Sequence, residues 1–273
     1  MQKVVTLIGD IGASHSRLAL IIPKKKKSPQ IVKVYKNKEF HHFEEIIEKY
    51  LKEEVFECKI FPERVLLGVA GPVLKNKAKI TNLGWEIEAK RVQKRFSFKK
   101  VILKNDLYLL AGSFYFLKAK DLRVIKEGKK VKAYPKAFIA VGTGLGISFL
   151  ISKNPLIILP SEGGHTPLSI REKEDLALYE FLQEQSREIL WEEVLSGRGL
   201  ENLYACYFGE KLEAPLITER AKEGKEREFF VIKKFFEFLG RKCYEVAVMM
   251  GPFGGIYMAG GVIQALSHFF ERK

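Results

Sequence analysis

Val141-Gly142-Thr143-Gly144-Leu145-Gly146 is the stretch on which the reading of this chain turns. Apolar runs flank it, Ala137 to Ala140 before and Ile147 to Ile151 after, and both read as strands. The glycines between them form a tight turn. With no β-carbon at the tip, backbone N–H groups can approach an anion closely, and the threonine adds a hydroxyl donor. A phosphate group calls for both. A second turn of this kind lies near the start, where strand Val4 to Ile8 runs through Gly9-Asp10-Ile11-Gly12-Ala13-Ser14 into strand Arg17 to Ile22. Two such hairpins suggest two loops closing on one polyphosphate. For either loop alone, the simpler account is a β-hairpin whose glycines supply positive φ.

The 273 residues suffice for one large domain or two ordinary ones, and 47% apolar content excludes a disordered chain. Cys58, Cys206 and Cys243 lie far apart with no CxxC spacing, so a disulfide framework and a zinc site are both disfavoured, and a reducing compartment is implied. Asp10 interrupts the first apolar stretch, against a signal peptide, and the longest apolar run, Ala137 to Ile151, is too short to cross a bilayer. A cytoplasmic protein without membrane contact is expected. The net charge of +14 raises nucleic-acid binding. The charge is spread along the chain among many glutamates, as in mixed Lys/Glu surfaces, and no nucleic-acid reading motif is present. The densest cluster, Lys24 to Lys27, sits between Pro23 and Pro29 and reads as a solvated hairpin tip.

Along the chain, strand Gln30 to Lys36 is followed by a helix from about Phe43 to Glu54, with Phe43, Ile46, Ile47, Tyr50 and Leu51 at helical spacing. Strand Val65 to Ala70 stops at Gly71-Pro72. Then come a short strand Lys77 to Thr81, a helix Glu88 to Phe96, strand Val101 to Lys104, and a helix Leu107 to Leu117 capped by Asn105-Asp106. Past Lys118 the strands return, then helices. The longest, Phe229 to Val248, is expected to face the core through Phe230, Phe235, Phe238 and Leu239. Strand Gly255 to Ala259, Gly260-Gly261 and a last helix to Phe270 close the chain. Three strands, a crossover helix and more strands occur twice, an order of elements repeated without repeated sequence.

Taken in order, Gly9-Asp10-Ile11-Gly12, Ala70-Gly71-Pro72, Thr81-Asn82 with Trp85, Asn105-Asp106, Gly142-Thr143-Gly144-Leu145-Gly146, Glu162-Gly163-Gly164-His165, Leu195-Ser196-Gly197 with Gly199-Leu200, and Ala259-Gly260-Gly261 resemble the bacterial-type glucokinases over nearly the whole chain. The resemblance implies an α/β fold of the two-domain actin-like, hexokinase and ribonuclease H-like type, with an interdomain cleft. It implies a smaller domain over residues 1–117, with sugar and phosphate loops, and a larger one over 118–273, binding nucleotide and sugar. It implies transfer of the ATP γ-phosphate to the glucose 6-hydroxyl, feeding glycolysis. Hexose and ATP are the expected partners, a homodimer is common among relatives, and no interface stripe stands out.

Phosphoryl transfer calls for a positioned nucleophile and neutralised phosphate charge. Asp106, at a strand end, is the candidate base; its plain alternative is a helix N-cap. Asp10 is the candidate Mg²⁺ anchor, since hard cations prefer oxygen; its alternative is a turn aspartate bonded to its own backbone. Gly12, Ser14 and Arg17 are expected around the first phosphate loop, with Gly142, Thr143 and Gly144 on the other side of the phosphates. A sugar demands paired donors and acceptors. Asn105 and Asp106 offer one set, Glu162 and His165 another, and Glu192 matches the family position touching the ring, with Glu193 beside it as a competing register. Thr81 and Asn82 border the sugar in this reading, and Trp85 belongs to the core. Gly260-Gly261 resembles the adenosine-binding turn; its alternative is tight strand-to-helix packing.

Two departures stand out. The first loop reads Gly12-Ala13-Ser14-His15 where the family has Gly-Gly-Thr-Asn, keeping the hydroxyl but placing alanine where positive φ is disfavoured. The chain also stops at Lys273, where relatives continue with a strand and a helix. The competing readings are a non-catalytic sugar-binding or regulatory relative, and a kinase for another hexose or another phosphoryl donor.

Overall fold

The computed structural model describes residues 4–23, 29–56, 60–80, 83–129, 131, 135–185 and 188–271. Two compact units divide the chain at Leu110/Ala111.

In the first unit, β1 (Thr6–Ile11), β2 (His15–Ile21) and β3 (Gln30–Lys36) form an antiparallel meander. A crossover through α1 (Phe43–Tyr50), continued by one wider π-helical turn over Leu51–Val55, brings β4 (Arg64–Val69) back parallel to β1. The chain then makes a small antiparallel sheet of β5 (Val73–Leu74), β6 (Lys77–Ile80) and β7 (Trp85–Glu88). After α2 (Ala89–Phe96) it adds β8 (Lys100–Asn105) parallel to β4. The main sheet therefore runs β3-β2-β1-β4-β8. β5 and β7 escape the sequence reading because they are only two and four residues long, too short for an apolar period to show. The core lies where inward strand positions, Leu7 and Ile11 of β1, Leu18 and Leu20 of β2, Leu67 of β4, meet Phe43, Ile46, Ile47 and Tyr50 of α1. Each such buried side chain contributes on the order of 2 kcal/mol. Trp85 is buried in the same core, as expected.

The parallel strands β1, β4 and β8 end together, with Ile11, Val69 and Asn105 in one register. Loops following parallel strands gather on one edge, where open α/β sheets place their functional groups. The helix α3 (Asp106–Ser113) starts there and holds the boundary between the units.

In the second unit, β9 (Lys136–Val141), β10 (Leu145–Ser152) and β11 (Ile157–Ser161) again form a meander, and β12 (Ile256–Ala259) lies parallel to β9, giving β11-β10-β9-β12. Between β11 and β12 come α4 (Asp175–Gln185), α5 (Gly197–Phe208), α6 (Ala214–Lys222) and the long α7 (Glu226–Met250); α8 (Gly261–Leu266) follows. Gly251, in the left-handed region at φ 52°, ends α7. The buried stripe of α7 is Val231, Phe235, Phe238, Lys242 and Val246, with Ile232 and Leu239 beside it. Phe230 is exposed, contrary to expectation, because the stripe runs one position later. Burial raises the thiols of Cys206 and, to about 11, of Cys243, so both stay protonated and unreactive; Cys58 and Lys24 to Lys27 lie outside the described residues. No helix among the described residues is long and apolar enough to cross a membrane.

Asp175 joins α4 to α7. Its Oδ2 accepts the backbone N–H groups of Arg171 (2.9 Å) and Glu172 (3.0 Å) and pairs with Arg241 at 2.5 Å. Burial alone pushes this carboxyl up; the two N–H donors and the guanidinium outweigh it and hold it below the ordinary value. The folded form therefore gains stability above about pH 4, where the unfolded carboxyl ionises, and loses it as pH falls through the lower folded value. Asp175→Ala is expected to cost about 3 kcal/mol at pH 7. Thermal unfolding at pH 7 and pH 3 checks this, with a smaller acid-induced loss in the variant than in the parent.

Candidate functional site

The described site residues fall into two groups, one in each unit. In the first, β1 and β2 are joined by a tight turn closed by Gly12 N–H to His15 O at 3.0 Å. Neither Ala13 nor Ser14 takes a positive φ. The departure from glycine at Ala13 therefore carries no strain. The turn is held by a residue that the sequence reading missed. Asn37, fully buried after β3, donates its backbone N–H to Ser14 O (2.9 Å) and its Nδ2 to Gly12 O (2.8 Å), and accepts Ser16 Oγ at 2.7 Å. Only the pairing of β2 with β3 brings Asn37 there, so no local signal marks it.

Asp10 and Arg17 face each other across the β1–β2 ladder and form an ion pair at 2.9 Å, both more than half exposed. Asn105 caps α3: its Oδ1 accepts Leu107 N–H (3.0 Å) and Tyr108 N–H (3.2 Å), and its Nδ2 donates to Gly71 O (3.0 Å). Capping is therefore done by Asn105, and Asp106 becomes the first helical residue, partly exposed, its Oδ1 accepting Leu107 N–H at 2.8 Å. Gly68 pairs with Asp10. A β-carbon there would meet Leu109 Cδ1 at 2.9 Å and Asp106 Cα at 3.6 Å, so this glycine lets the start of α3 settle onto β4. Asp10 and Asp106 thus share one sheet edge. Thr81 and Asn82 lie outside the described residues.

In the second unit, the turn over residues 142–144 closes through Gly142 N–H to Gly144 O at 2.9 Å and is pinned by Gly197 N–H to Gly142 O at 2.9 Å. Gly142 and Gly144 are not in the left-handed region. The positive-φ account of this turn is therefore wrong for these two. Gly144 is glycine because the Glu192 carboxylate fills the space a β-carbon would take; Gly142 faces open space, and Thr143 forms the tip. Glu192 Oε2 accepts Leu145 N–H at 2.9 Å and lies 3.6 Å from His165 Nε2, while Glu162 Oε2 lies 3.4 Å from His165 Nδ1. The sheet thus brings Glu162, His165 and Glu192 into one cluster joined to the glycine turn. Glu193 is committed elsewhere, to Arg198 and Asn202 of α5, so of the two glutamates it is Glu192 that lies beside His165. Gly164 packs directly against the Leu145 carbonyl.

Gly260 has φ 101° and packs against the Val141 backbone, leaving no room for a β-carbon, whereas Gly261 has open space. Tight packing thus accounts for Gly260 by itself. Since β12 runs parallel to β9, with Ala259 beside Ala140, its turn opens on the same edge as residues 142–144.

Chemically, one group offers two carboxylates and an arginine around a tight turn. The other offers two carboxylates and an imidazole beside backbone N–H groups. Among the described residues, no three His, Cys, Asp or Glu side chains are placed so that they could hold a metal ion between them. The glucokinase family model matches residues 7–273. This chain belongs to the glucokinase family.

The glucokinase of Colwellia psychrerythraea is 29% identical over 285 residues, covering 99% of this chain and 85% of that protein. That of Psychromonas ingrahamii is 28% identical over 278 residues, again covering 99% and 85%. Among solved structures, a glucokinase from an Antarctic psychrotroph superposes with a TM-score of 0.79 at 26% identity, over 98% of this chain and 86% of that one. A glucokinase of the ROK family from Streptomyces griseus, solved with glucose and AMPPNP, has the same fold, with a TM-score of 0.65 at 18% identity over 96% and 84%. The repeated strand order is therefore that of the actin-like ATPase fold, and this glucokinase-family chain is a sugar kinase, a phosphotransferase acting on a sugar hydroxyl.

Gly144→Ala tests the link between turn and cluster. A methyl group there displaces Glu192, so the KM for the sugar should rise along with that for the phosphoryl donor, by about tenfold. A rise confined to the donor would show the turn to be independent of Glu192.

Proposed function

We propose that this chain phosphorylates glucose at its 6-hydroxyl with ATP, giving glucose 6-phosphate and ADP for glycolysis in the cytoplasm. The observation that supports the reading is the bridge from Glu192 to both His165 and Leu145 N–H, which joins groups able to bind sugar hydroxyls to the glycine turn in a glucokinase-family chain. Asp106 takes the proton of the 6-hydroxyl as its oxygen attacks the γ-phosphorus; the new O–P bond forms as the bond to the β-phosphate oxygen breaks. Asn105 and Asp106 in the first unit, with Glu162, His165 and Glu192 in the second, are assigned to the hexose. Each hydroxyl left unmatched costs affinity. Gly142, Thr143 and Gly144, with Gly12, Ser14 and Arg17, are assigned to the phosphates, and Gly260 and Gly261 to the adenosine.

The residues present fit a Mg²⁺ ion carried on the phosphates. Such an ion keeps most of its waters and takes one or two carboxylates from protein, and Asp10 is exposed with Arg17 engaging only Oδ2. Bound there, Mg²⁺ supplies charge neutralisation on the phosphates. Release of ADP, measured for glucose, mannose and other hexoses against ATP, ADP and polyphosphate, tests the reading. Glucose with ATP is expected to give the highest kcat/KM. Glucose binding without turnover on any donor would replace it by a sugar-binding relative.

A further inference from the structure

Two charged residues are buried on α7: Glu228 in its first turn, partnered by Tyr204 and Arg220, and Lys242 farther along. Val231, Phe235, Phe238 and Val246 are apolar, and Lys242, at the same helical spacing, is as buried as they are, 1% exposed. An ammonium in a core costs several kcal/mol of lost hydration, and an apolar side chain of the same volume is often no less stable. Core stability therefore does not account for Lys242.

Its contacts do. Nζ donates to Thr166 Oγ1 at 2.9 Å and to Glu245 Oε1 at 3.2 Å. Thr166 Oγ1 in turn donates a hydrogen bond to Gly163 O at 2.9 Å. The hydrogen-bond chain from Lys242 thus ends inside the turn that holds Glu162 and His165. Nζ also lies 5.1 Å from the centre of the Trp191 ring, within cation–π range. Trp191 immediately precedes Glu192, and its backbone N–H donates to Thr166 O at 3.1 Å. Its indole Nε1 has no hydrogen-bond partner, so ring packing and the neighbouring cation orient this side chain. One ammonium therefore touches both segments that present Glu162, His165 and Glu192.

We propose that Lys242 is a positioning residue for hexose recognition, locking the Glu162–His165 turn to the Trp191–Glu193 turn through Thr166 and the Trp191 ring. The inference rests on the assignment of Glu162, His165 and Glu192 to the sugar. Burial lowers the affinity of this amine for its proton, and Glu245 partly restores it; the charge is held against a desolvation cost, as expected of a group kept for placement.

Lys242→Met keeps the length of the side chain and removes its charge and donors. The expected result is a glucose KM raised about tenfold with the ATP KM unchanged. An unchanged glucose KM, or equal rises for glucose and ATP, would overturn the proposal. Should Lys242→Met not fold, Thr166→Val interrupts the same chain and is expected to raise the glucose KM alone; an unchanged value overturns the proposal equally. Glu192→Gln separates the two layers. If it leaves the glucose KM unchanged, the hexose assignment itself fails, and the Lys242 inference with it. If Glu192→Gln raises that KM and neither Lys242→Met nor Thr166→Val does, only the Lys242 inference fails.

Discussion

Asp106→Asn is expected to lower kcat for glucose phosphorylation by about a thousandfold, the range that a positioned general base supplies, with glucose binding retained. The substitution is nearly isosteric. Asparagine can still accept Leu107 N–H through Oδ1, as Asp106 does at 2.8 Å, and the cap of α3 is Asn105, which stays in place. The cap and this hydrogen bond therefore survive the substitution, and the expected loss is that of the proposed proton acceptance. Steady-state kinetics with glucose titration calorimetry makes the check. Turnover within a few-fold of the parent would remove Asp106 as the base. Loss of glucose binding together with turnover would leave its contact with the hexose, and not proton acceptance, as what the carboxylate supplies.

Gly164→Ala is expected to have the largest combined effect on stability and sugar binding. An added β-carbon would overlap the Leu145 carbonyl, a backbone group that cannot swing aside. Accommodating it means lifting the turn of Gly163–His165 off β10, which carries Glu162 and His165 away from Glu192. A stability loss of about 3 kcal/mol and a rise of more than about tenfold in the glucose KM are expected. Gly163→Ala is the control. There the β-carbon would meet Ile147 Cδ1 at 3.0 Å and Ser161 Oγ at 3.2 Å, side-chain atoms that can yield. Equal behaviour of the two variants in thermal melts and kinetics would show that the close approach at Gly164 does not control the site.

Much of this was legible in the residues. Short apolar runs mark β1 and β9, and the helical spacing of Phe43, Ile46, Ile47 and Tyr50 marks α1, because a strand buried on both faces reads as a run while a helix that buries one face repeats every three to four positions. The repeated order of three strands, a helix and a return strand was equally readable. The glycine turns were recognised, and at 142 and 144 only the alternative account by positive φ falls away. A sequence shows that a β-carbon is missing but not whether φ, a neighbouring carboxylate or a facing backbone excludes it. The exposure of Phe230 was misread because α7 is apolar over more than one face, and only contact with the other helices selects a stripe.

By itself, then, the chain of residues determined the order and type of the elements and the chemistry on offer: two phosphate-type turns, a pair of residues at a strand end, and a Glu-Gly-Gly-His group. Those features are local, set by side-chain period, backbone freedom and the donors each residue carries. The tertiary structure alone decided that Asn105 is the cap and Asp106 is left partly exposed, that Glu192 and not Glu193 meets His165, that Asn37 clasps the first turn, and that Lys242 underlies the second cluster. Apart from the cap, which is local, each of these is a contact between residues 21 to 76 positions apart. Pairings of that kind depend on strand register and helix packing, where a shift of one position turns a side chain to the opposite face.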